Sequence, residues 1–216
     1  MDFDFSFAVE ILPDLLRGAV VTLEVVLAGF VAALFGGLLL AVARQAGNAP
    51  LRAACTAYIE FMRNTPLLVQ IYFLFFVLPL WGLTFTAITT GILALGLNYS
   101  AYLAEVYRGG IDSVPRGQWE AAGALDMSPR DTWLRIVLPQ AIPPMVPVLG
   151  NYLIGMFKDT PLLAVITIPE MMQVVKQIAG ETYRYNEPYT LLALIFLAMS
   201  LPASFLFRTI ERRLRG

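Results

Sequence analysis

Residues Gly117 to Pro139 read GQWEAAGALDMSPRDTWLRIVLP. This is the longest polar run between segments that otherwise read as membrane. It carries Glu120, Asp126, Arg130, Asp131 and Arg135, yet also Trp119, Leu125, Trp133, Leu134, Ile136 and Val137. A mere connector needs few apolar side chains, whereas a piece that docks into something else needs many. Ser128-Pro129 with Asp131 is a helix start, with Ser as cap, Pro in the first turn and a carboxylate near the positive end. Ser113 and Pro115 give a second, weaker start. The stretch therefore predicts two short helices, Pro115 to Leu125 and Pro129 to Val137, with a bend at Asp126-Met127.

Working outward, the chain of 216 residues is 58% hydrophobic and 14% charged. Its mean hydropathy is +0.68. Soluble domains carry about a quarter charged residues, and a single core of this size does not hide so much apolar surface. Lipid is the simplest solvent for the excess. A net charge of -1 offers no basic face for nucleic acid. The absence of histidine removes HExxH zinc sites and histidine-based triads. No catalytic or metal-ligating set is expected. The single Cys55 forbids an internal disulfide.

Ala19–Ala43 is a nearly unbroken apolar run, long enough to cross a bilayer. Ala32-Ala33 and Gly36-Gly37 give it a small-residue face for close helix packing. Glu24 near its start is either an interfacial carboxylate or part of a pathway. Met1–Asp14 lacks a basic leader region, so the first span is expected to be retained. The second span runs Ala57–Leu80, with a polar break near its inner end. The third, Phe85–Val106, is interrupted by Asn98, Tyr99, Ser100 and Tyr102. The fourth begins at Ala141–Phe157, meets Lys158-Asp159-Thr160-Pro161 and continues over Leu162–Ile168. Pro169–Gly180 is amphipathic and suited to a membrane surface. Tyr189–Phe207 is the fifth span. Arg63-Asn64-Thr65-Pro66-Leu67-Leu68 is echoed by Lys158-Asp159-Thr160-Pro161-Leu162-Leu163. Each is expected to break a helix inside a span, as binding sites in transporters do.

The expected fold is all-α, a polytopic membrane protein of five transmembrane helices. Arg44, Arg52, Arg63, Arg108, Arg116, Arg130, Arg135, Arg208, Arg212, Arg213 and Arg215 fall on one side, against Arg17, Lys176 and Arg184 on the other. By the positive-inside rule the N-terminus is outside, and the C-terminus and the Gly117–Pro139 stretch face the cytoplasm. Residues 1–18 are then an extracytoplasmic segment, 19–211 the membrane domain with its cytoplasmic loop at about 112–140, and 212–216 a cytoplasmic tail.

Glu120-Ala121-Ala122 followed by Ile136-Val137-Leu138-Pro139 resembles the EAA loop of type I ABC importer permeases. Tyr58 to Gln70, YIEFMRNTPLLVQ, and Ala101 to Ile111, AYLAEVYRGGI, resemble motifs of the polar amino-acid branch, which includes histidine, glutamine and arginine permeases. The resemblance covers most of Ala19 to Glu211. It implies a bacterial inner-membrane permease that couples to an ABC ATPase dimer through Glu120, Ala121, Ala122, Gly123, Asp126, Ile136, Leu138 and Pro139. It also implies a second permease subunit, identical or homologous, and a soluble or lipid-anchored solute-binding protein. The chain has no GxxxxGK[ST] loop, so ATP and Mg belong to the partner ATPase and no cofactor is expected here. Where the family usually has Gly, this chain has Asp126. Asp is among the few residues that tolerate the left-handed region, so the bend is expected to be kept. Asn151 to Leu163 and Thr182 to Pro188 look most like ectoine/hydroxyectoine permeases, which implies a zwitterionic cargo. The alternative reading is a membrane channel or assembly scaffold without ATP coupling.

Candidates for the substrate pathway are Asn98, Tyr99, Ser100, Tyr102, Asn151, Lys158 and Asp159. A Lys and an Asp beside aromatic faces suit a zwitterion. Alternatively Lys158 and Asp159 neutralise each other near the outer surface. Glu105 reads as an ion-pair partner of Arg108 or Arg116.

Overall fold

The computed structural model describes residues 3–215, without the side chains at 46, 203, 206, 208 and 210–215. The tail side chains of Arg208, Arg212, Arg213 and Arg215 therefore lie outside the described residues. The described chain is helical, with no strand. Helix α1 (Phe5–Ala46) starts well before the expected first span. Its cap is Asp4, whose carboxylate accepts from the backbone N–H of Ser6 and Phe7. After a break at Gly47 come α2 (Ala49–Asn64) and α3 (Leu67–Tyr72), which continues through Trp81 in wider and tighter turns. The pair bends by 107° between α2 and α3. Pro66 at that bend has no N–H, so the helical ladder fails there. Helix α4 (Ala87–Asp112) follows, then α5 (Arg116–Ala124) and α6 (Pro129–Asp131). After α6 come a π-helical stretch (Thr132–Val137), α7 (Leu138–Asp159) and a 3₁₀ stretch (Thr160–Ile166). Helices α8 (Met171–Thr182) and α9 (Asn186–Arg215) complete the described chain.

Phe5–Gln45, Ala87–Asp112 and Pro129–Ile166 are each long and apolar enough to cross a membrane, and the bent pair makes a fourth if taken as one span. The expected fifth, α9, has the length, but several side chains of its C-terminal half lie outside the described residues. The helix predicted over Pro129 to Val137 is not a separate short one. It is the opening of a continuous helical run into α7, because the chain keeps its right-handed turn through Val137 and Leu138. Both π-helical stretches, Phe73–Val77 and Thr132–Val137, lie just before a proline, Pro79 and Pro139. A proline ring clashes with the carbonyl four residues back, and a widened turn relieves that clash.

The core is the seam between α1 and α4. A Cβ on Gly36 would stand 3.0 Å from that of Ser100, and one on Gly37 2.9 Å from that of Leu103. The small residues are thus what lets the two backbones approach. Val25, Val26 and Ala33 meet Ala94, Leu95 and Tyr99 in the same layer. The outer row of α1, with Val20, Leu27, Val31, Phe35 and Val42, is exposed, as a lipid-facing ridge would be. Glu24 is exposed on that helix too. Helix α8 lies against α1: Met171 N–H donates to Thr22 Oγ1 at 3.3 Å, and the fully buried Glu170 caps α8.

Candidate functional site

The bend between α2 and α3 leaves a carbonyl to be satisfied. Met62 is four residues before Pro66, so its helical donor is missing. Two amides replace it: Asn98 Nδ2 and Gln70 Nε2 each donate to the Met62 oxygen at 3.1 Å. Gln70 Nε2 also donates to Thr65 Oγ1 at 2.7 Å, and Asn98 Nδ2 to Gln70 Oε1 at 3.1 Å. Asn98, expected in the substrate pathway, thus spends its amide nitrogen holding the bend open.

Around that bend lies a cleft of about 550 Å³, lined by Arg63, Asn64, Asn98, Tyr99, Tyr102, Asn151, Tyr152, Gly155 and Asp159 among others. Tyr99 donates its hydroxyl to Asp159 Oδ2 at 2.8 Å. Tyr99, Tyr102 and Tyr152 form an aromatic cluster with centroids 5.6 to 6.3 Å apart. The Arg63 guanidinium sits 5.6 Å from the Tyr102 ring centroid, within cation–π range. No ion pair of Arg63 occurs among the described residues. Of the two echoed stretches the first breaks its helix, at Pro66, whereas the second only tightens from α to 3₁₀ turns at Thr160 within a continuous helical run; both contribute here, one through Arg63 to Leu67 and the other through Asp159.

Five expected pathway residues, Asn98, Tyr99, Tyr102, Asn151 and Asp159, come together at this cleft. Two do not. Ser100 is buried, donating to the Leu97 carbonyl at 2.7 Å and packing against Gly36. Lys158 is exposed away from the lining, and no ion pair joins it to Asp159 among the described residues. Consecutive helical residues point about 100° apart, so the two side chains diverge. Arg63, Asn64 and Tyr152 are not among the expected pathway residues. The charge count puts Arg63 on the inner side, but it faces the middle of α4 rather than its end. The echoed break was the signal that placed it.

At the other end of α4 a chain of charges ties α1 to α4. Arg44 of α1 pairs with Glu105 of α4, which also accepts from Arg108 at 2.6 Å, and Arg108 donates to Asp112 at 2.8 Å. Arg108 was expected as a partner; Arg44 was missed, and Arg116 is not one. Beyond Asp112 the chain enters α5. Its small face is open: Glu120, Ala121, Gly123 and Ala124 are exposed, and a Cβ on Gly123 would meet nothing within 4 Å. Leu125 is 76% exposed. The inner face is fixed by Ala122, which is buried, and by Trp119, packed edge-to-face on Trp133 with centroids 5.4 Å apart. Asp126 has φ 51°, the expected left-handed bend. Met127 N–H donates to the Ala122 carbonyl at 3.1 Å and Asp126 N–H to that of Gly123 at 3.0 Å, which is a Schellman ending. Ile136 and Leu138 are half-buried in the run that carries this unit, and Pro139 is exposed beside them.

Residues 33–216 match the model of a family described as binding-protein-dependent transport system inner membrane component. The chain is 44% identical over 208 residues to the probable amino-acid ABC transporter permease protein y4tG of Sinorhizobium fredii, covering 96% of this chain and 90% of that protein. It is 34% identical over 217 residues to the glutamine transport system permease protein GlnP of Escherichia coli K12, covering 100% and 99%. Among solved structures, that of an amino acid ABC transporter with histidines superposes with a TM-score of 0.93 at 36% identity, over 99% of this chain and 100% of that one. The inward-facing MetNI methionine ABC transporter, at a TM-score of 0.76 and 22% identity over 95% and 98% of the two chains, shares the fold.

Proposed function

The chain belongs to the family of binding-protein-dependent transport system inner membrane components and is the permease subunit of an amino-acid ABC importer, and we propose that its cleft passes a zwitterionic substrate while α5 takes the ATPase stroke. ATP hydrolysis resides on a separate subunit. The observation that carries the reading is the cleft itself, where a guanidinium without an ion pair among the described residues and a carboxylate line one cavity beside three tyrosine rings. An α-amino acid presents a carboxylate to Arg63 and an ammonium to Asp159 and the ring faces. A cyclic zwitterion such as ectoine offers the same two charges. The relatives' names favour an amino acid, with glutamine, arginine and histidine among their ligands.

In this reading the five spans place the N-terminus outside, and α5 hangs into the cytoplasm. Arg63 no longer counts as an inside charge, but Arg44, Arg52, Arg108, Arg116, Arg130 and Arg135 still outnumber Arg17, Lys176 and Arg184. The open face of α5, with Glu120, Ala121 and Gly123, enters a cleft on one subunit of the ATPase dimer; Ala122, expected on that face, is buried on the inner one. Its Trp119–Trp133 contact passes that motion to the run that opens α7, the chain itself carries it from α5 back to α4, and the Arg44–Glu105 tie couples α4 to α1. The output is a rigid-body switch of access. A second permease subunit, identical or homologous, completes the pathway, and a solute-binding protein delivers the cargo. No observation favours a channel or a scaffold.

The test is reconstitution of the permease with its ATPase and binding protein in liposomes. Single amino acids and ectoine are loaded in turn, and ATP hydrolysis and uptake are followed. Stimulation by one zwitterion, lost with Arg63→Gln or Asp159→Asn, is expected. Equal ATPase activity with every ligand and both variants would refute the assignment of the cleft.

A further inference from the structure

Two cavities adjoin at the Asp112 end of α4, one where α1 and α4 meet the start of α2, the other where they meet the start of α7. One, about 320 Å³, is lined by Arg44, Arg52, Arg108, Gln45 and Asp112. The other, about 600 Å³, is almost wholly apolar and lined by Leu38, Val42, Tyr107, Trp133, Leu138 and Ile142. Both include Ala41, Gln45 and Ile111, so they form one feature with a basic head and an apolar trunk.

The charges do not cancel. Three guanidiniums face two carboxylates, Glu105 and Asp112, and among the described ion pairs Arg52 has none. One negative charge is missing. Guanidinium forks suit phosphate oxygens. The trunk opens beside the exposed ridge of α1 that ends in Leu38 and Val42, so whatever fills it arrives along a surface already suited to acyl chains. A folded partner would have to supply both an anion and a narrow apolar finger at this one spot, whereas a phospholipid carries both. Basic pockets between spans on the cytoplasmic side hold anionic headgroups in this way.

We propose that this feature binds one anionic phospholipid, its phosphate among Arg44, Arg52 and Arg108 and one acyl chain against Val42 and Ile142. The inner-leaflet location rests on the orientation given above. The lipid would bridge α1 and α4 to Trp133, which packs on Trp119 of the coupling helix. Occupancy therefore stiffens the joint through which the ATPase stroke enters the spans.

The experiment is native mass spectrometry of the detergent-solubilised permease–ATPase complex, titrated with dioleoyl phosphatidylglycerol or dioleoyl phosphatidylcholine. One phosphatidylglycerol per permease is expected to persist where phosphatidylcholine dissociates. Arg52→Gln should weaken phosphatidylglycerol about fivefold, as expected for one basic residue at an anionic surface, and Arg52→Lys should restore most of it. Ile142→Trp, which fills the trunk, should displace the lipid while the complex still assembles. Equal retention of the two lipids, or no response to either Arg52→Gln or Ile142→Trp, overturns the proposal. So does a disulfide from Ile142→Cys to a second permease, which would make the groove a protein interface. In detergent the outcome is independent of orientation. Orientation is read separately, by labelling Gln45→Cys in intact cells with an impermeant maleimide: labelling from outside refutes the inner-leaflet location and leaves the lipid site standing.

Discussion

Asn98 and Gln70 are joined side chain to side chain at 3.1 Å, and both also donate to the carbonyl that Pro66 leaves without its helical partner. An amide pair thus takes the place of a missing backbone N–H inside a span. Removing a partner from a buried polar group costs about 1–3 kcal/mol. Either variant leaves the Met62 carbonyl one donor, but Gln70→Leu also removes the donor to Thr65 Oγ1 and the acceptor of Asn98, whereas Asn98→Leu leaves Gln70 in place on both Met62 and Thr65. Both variants should lower the thermal midpoint, Gln70→Leu more. Cys55 is the single cysteine and is buried, so its reaction with a fluorogenic maleimide measures this directly. A midpoint unchanged in both variants would show that the bend does not need them.

Asp159 is held by the Tyr99 hydroxyl, and Lys158 beside it points elsewhere. A hydrogen bond to a charged group is worth about 1.5–3 kcal/mol, so Asp159→Asn should lower the uptake rate at subsaturating substrate about 10- to 100-fold. Lys158→Gln should stay within about twofold of wild type. Radiolabelled uptake into proteoliposomes distinguishes the two, and equal losses would return Lys158 to the pathway.

Gly123 has open space where a Cβ would go. Gly123→Trp should therefore leave the isolated permease as stable as before, while blocking close approach of α5 to the ATPase. Co-purification of the ATPase should fall at least about tenfold, and Glu120→Ala should fall less. The contrast is Gly150, where a Cβ would stand 2.3 Å from the Phe207 ring, so that Gly150→Trp damages the fold itself. Undiminished co-purification with Gly123→Trp would remove α5 from the coupling contact.

The parts of this protein legible in the sequence are those set by local rules. Gly36-Gly37 announced a close helix contact because only small residues permit one, and Ser128-Pro129 announced a helix start. Asp126 stands where the resembled family has Gly, and the left-handed turn was expected there because Asp is among the few other residues that tolerate it. What stayed hidden depends on where a bent backbone carries a side chain. Arg63 reads as one more inner-side charge until α2 and α3 are seen to turn by 107° and leave it facing Tyr102. Asn98 reads as a ligand until Met62 is found to lack a donor. Lys158 and Asp159 read as a pair although neighbours on a helix diverge.

Asp126 closes α5 with φ 51° and no glycine. The left-handed region costs a β-branched residue more than it costs Asp, by about 1–2 kcal/mol, and costs Gly nothing. Asp126→Gly should be neutral to slightly stabilising, whereas Asp126→Val should lower the midpoint and weaken ATPase binding by shifting Leu125. If Asp126→Val behaves like wild type in both measurements, the bend is not fixed by this residue.

Glu170 gives the pH dependence. It lies outside the long helices, fully buried, and burial pushes its carboxyl from the ordinary 4.5 up to about 7, although two backbone N–H donors at 2.8 and 2.9 Å favour the charged form. The folded state therefore holds a proton that the unfolded state releases above 4.5. By linkage, the contribution is fully present below pH 4.5 and is lost as pH rises through about 7. At about 1.4 kcal/mol per unit the total is about 3 kcal/mol. Glu170→Gln keeps a neutral acceptor for α8 at every pH. Its thermal midpoint should be flat between pH 5 and about 7, where that of wild type declines, so the variant becomes the more stable of the two near neutrality. Parallel profiles for the two proteins would mean that Glu170 is charged in the folded protein throughout, with its two backbone donors outweighing its burial.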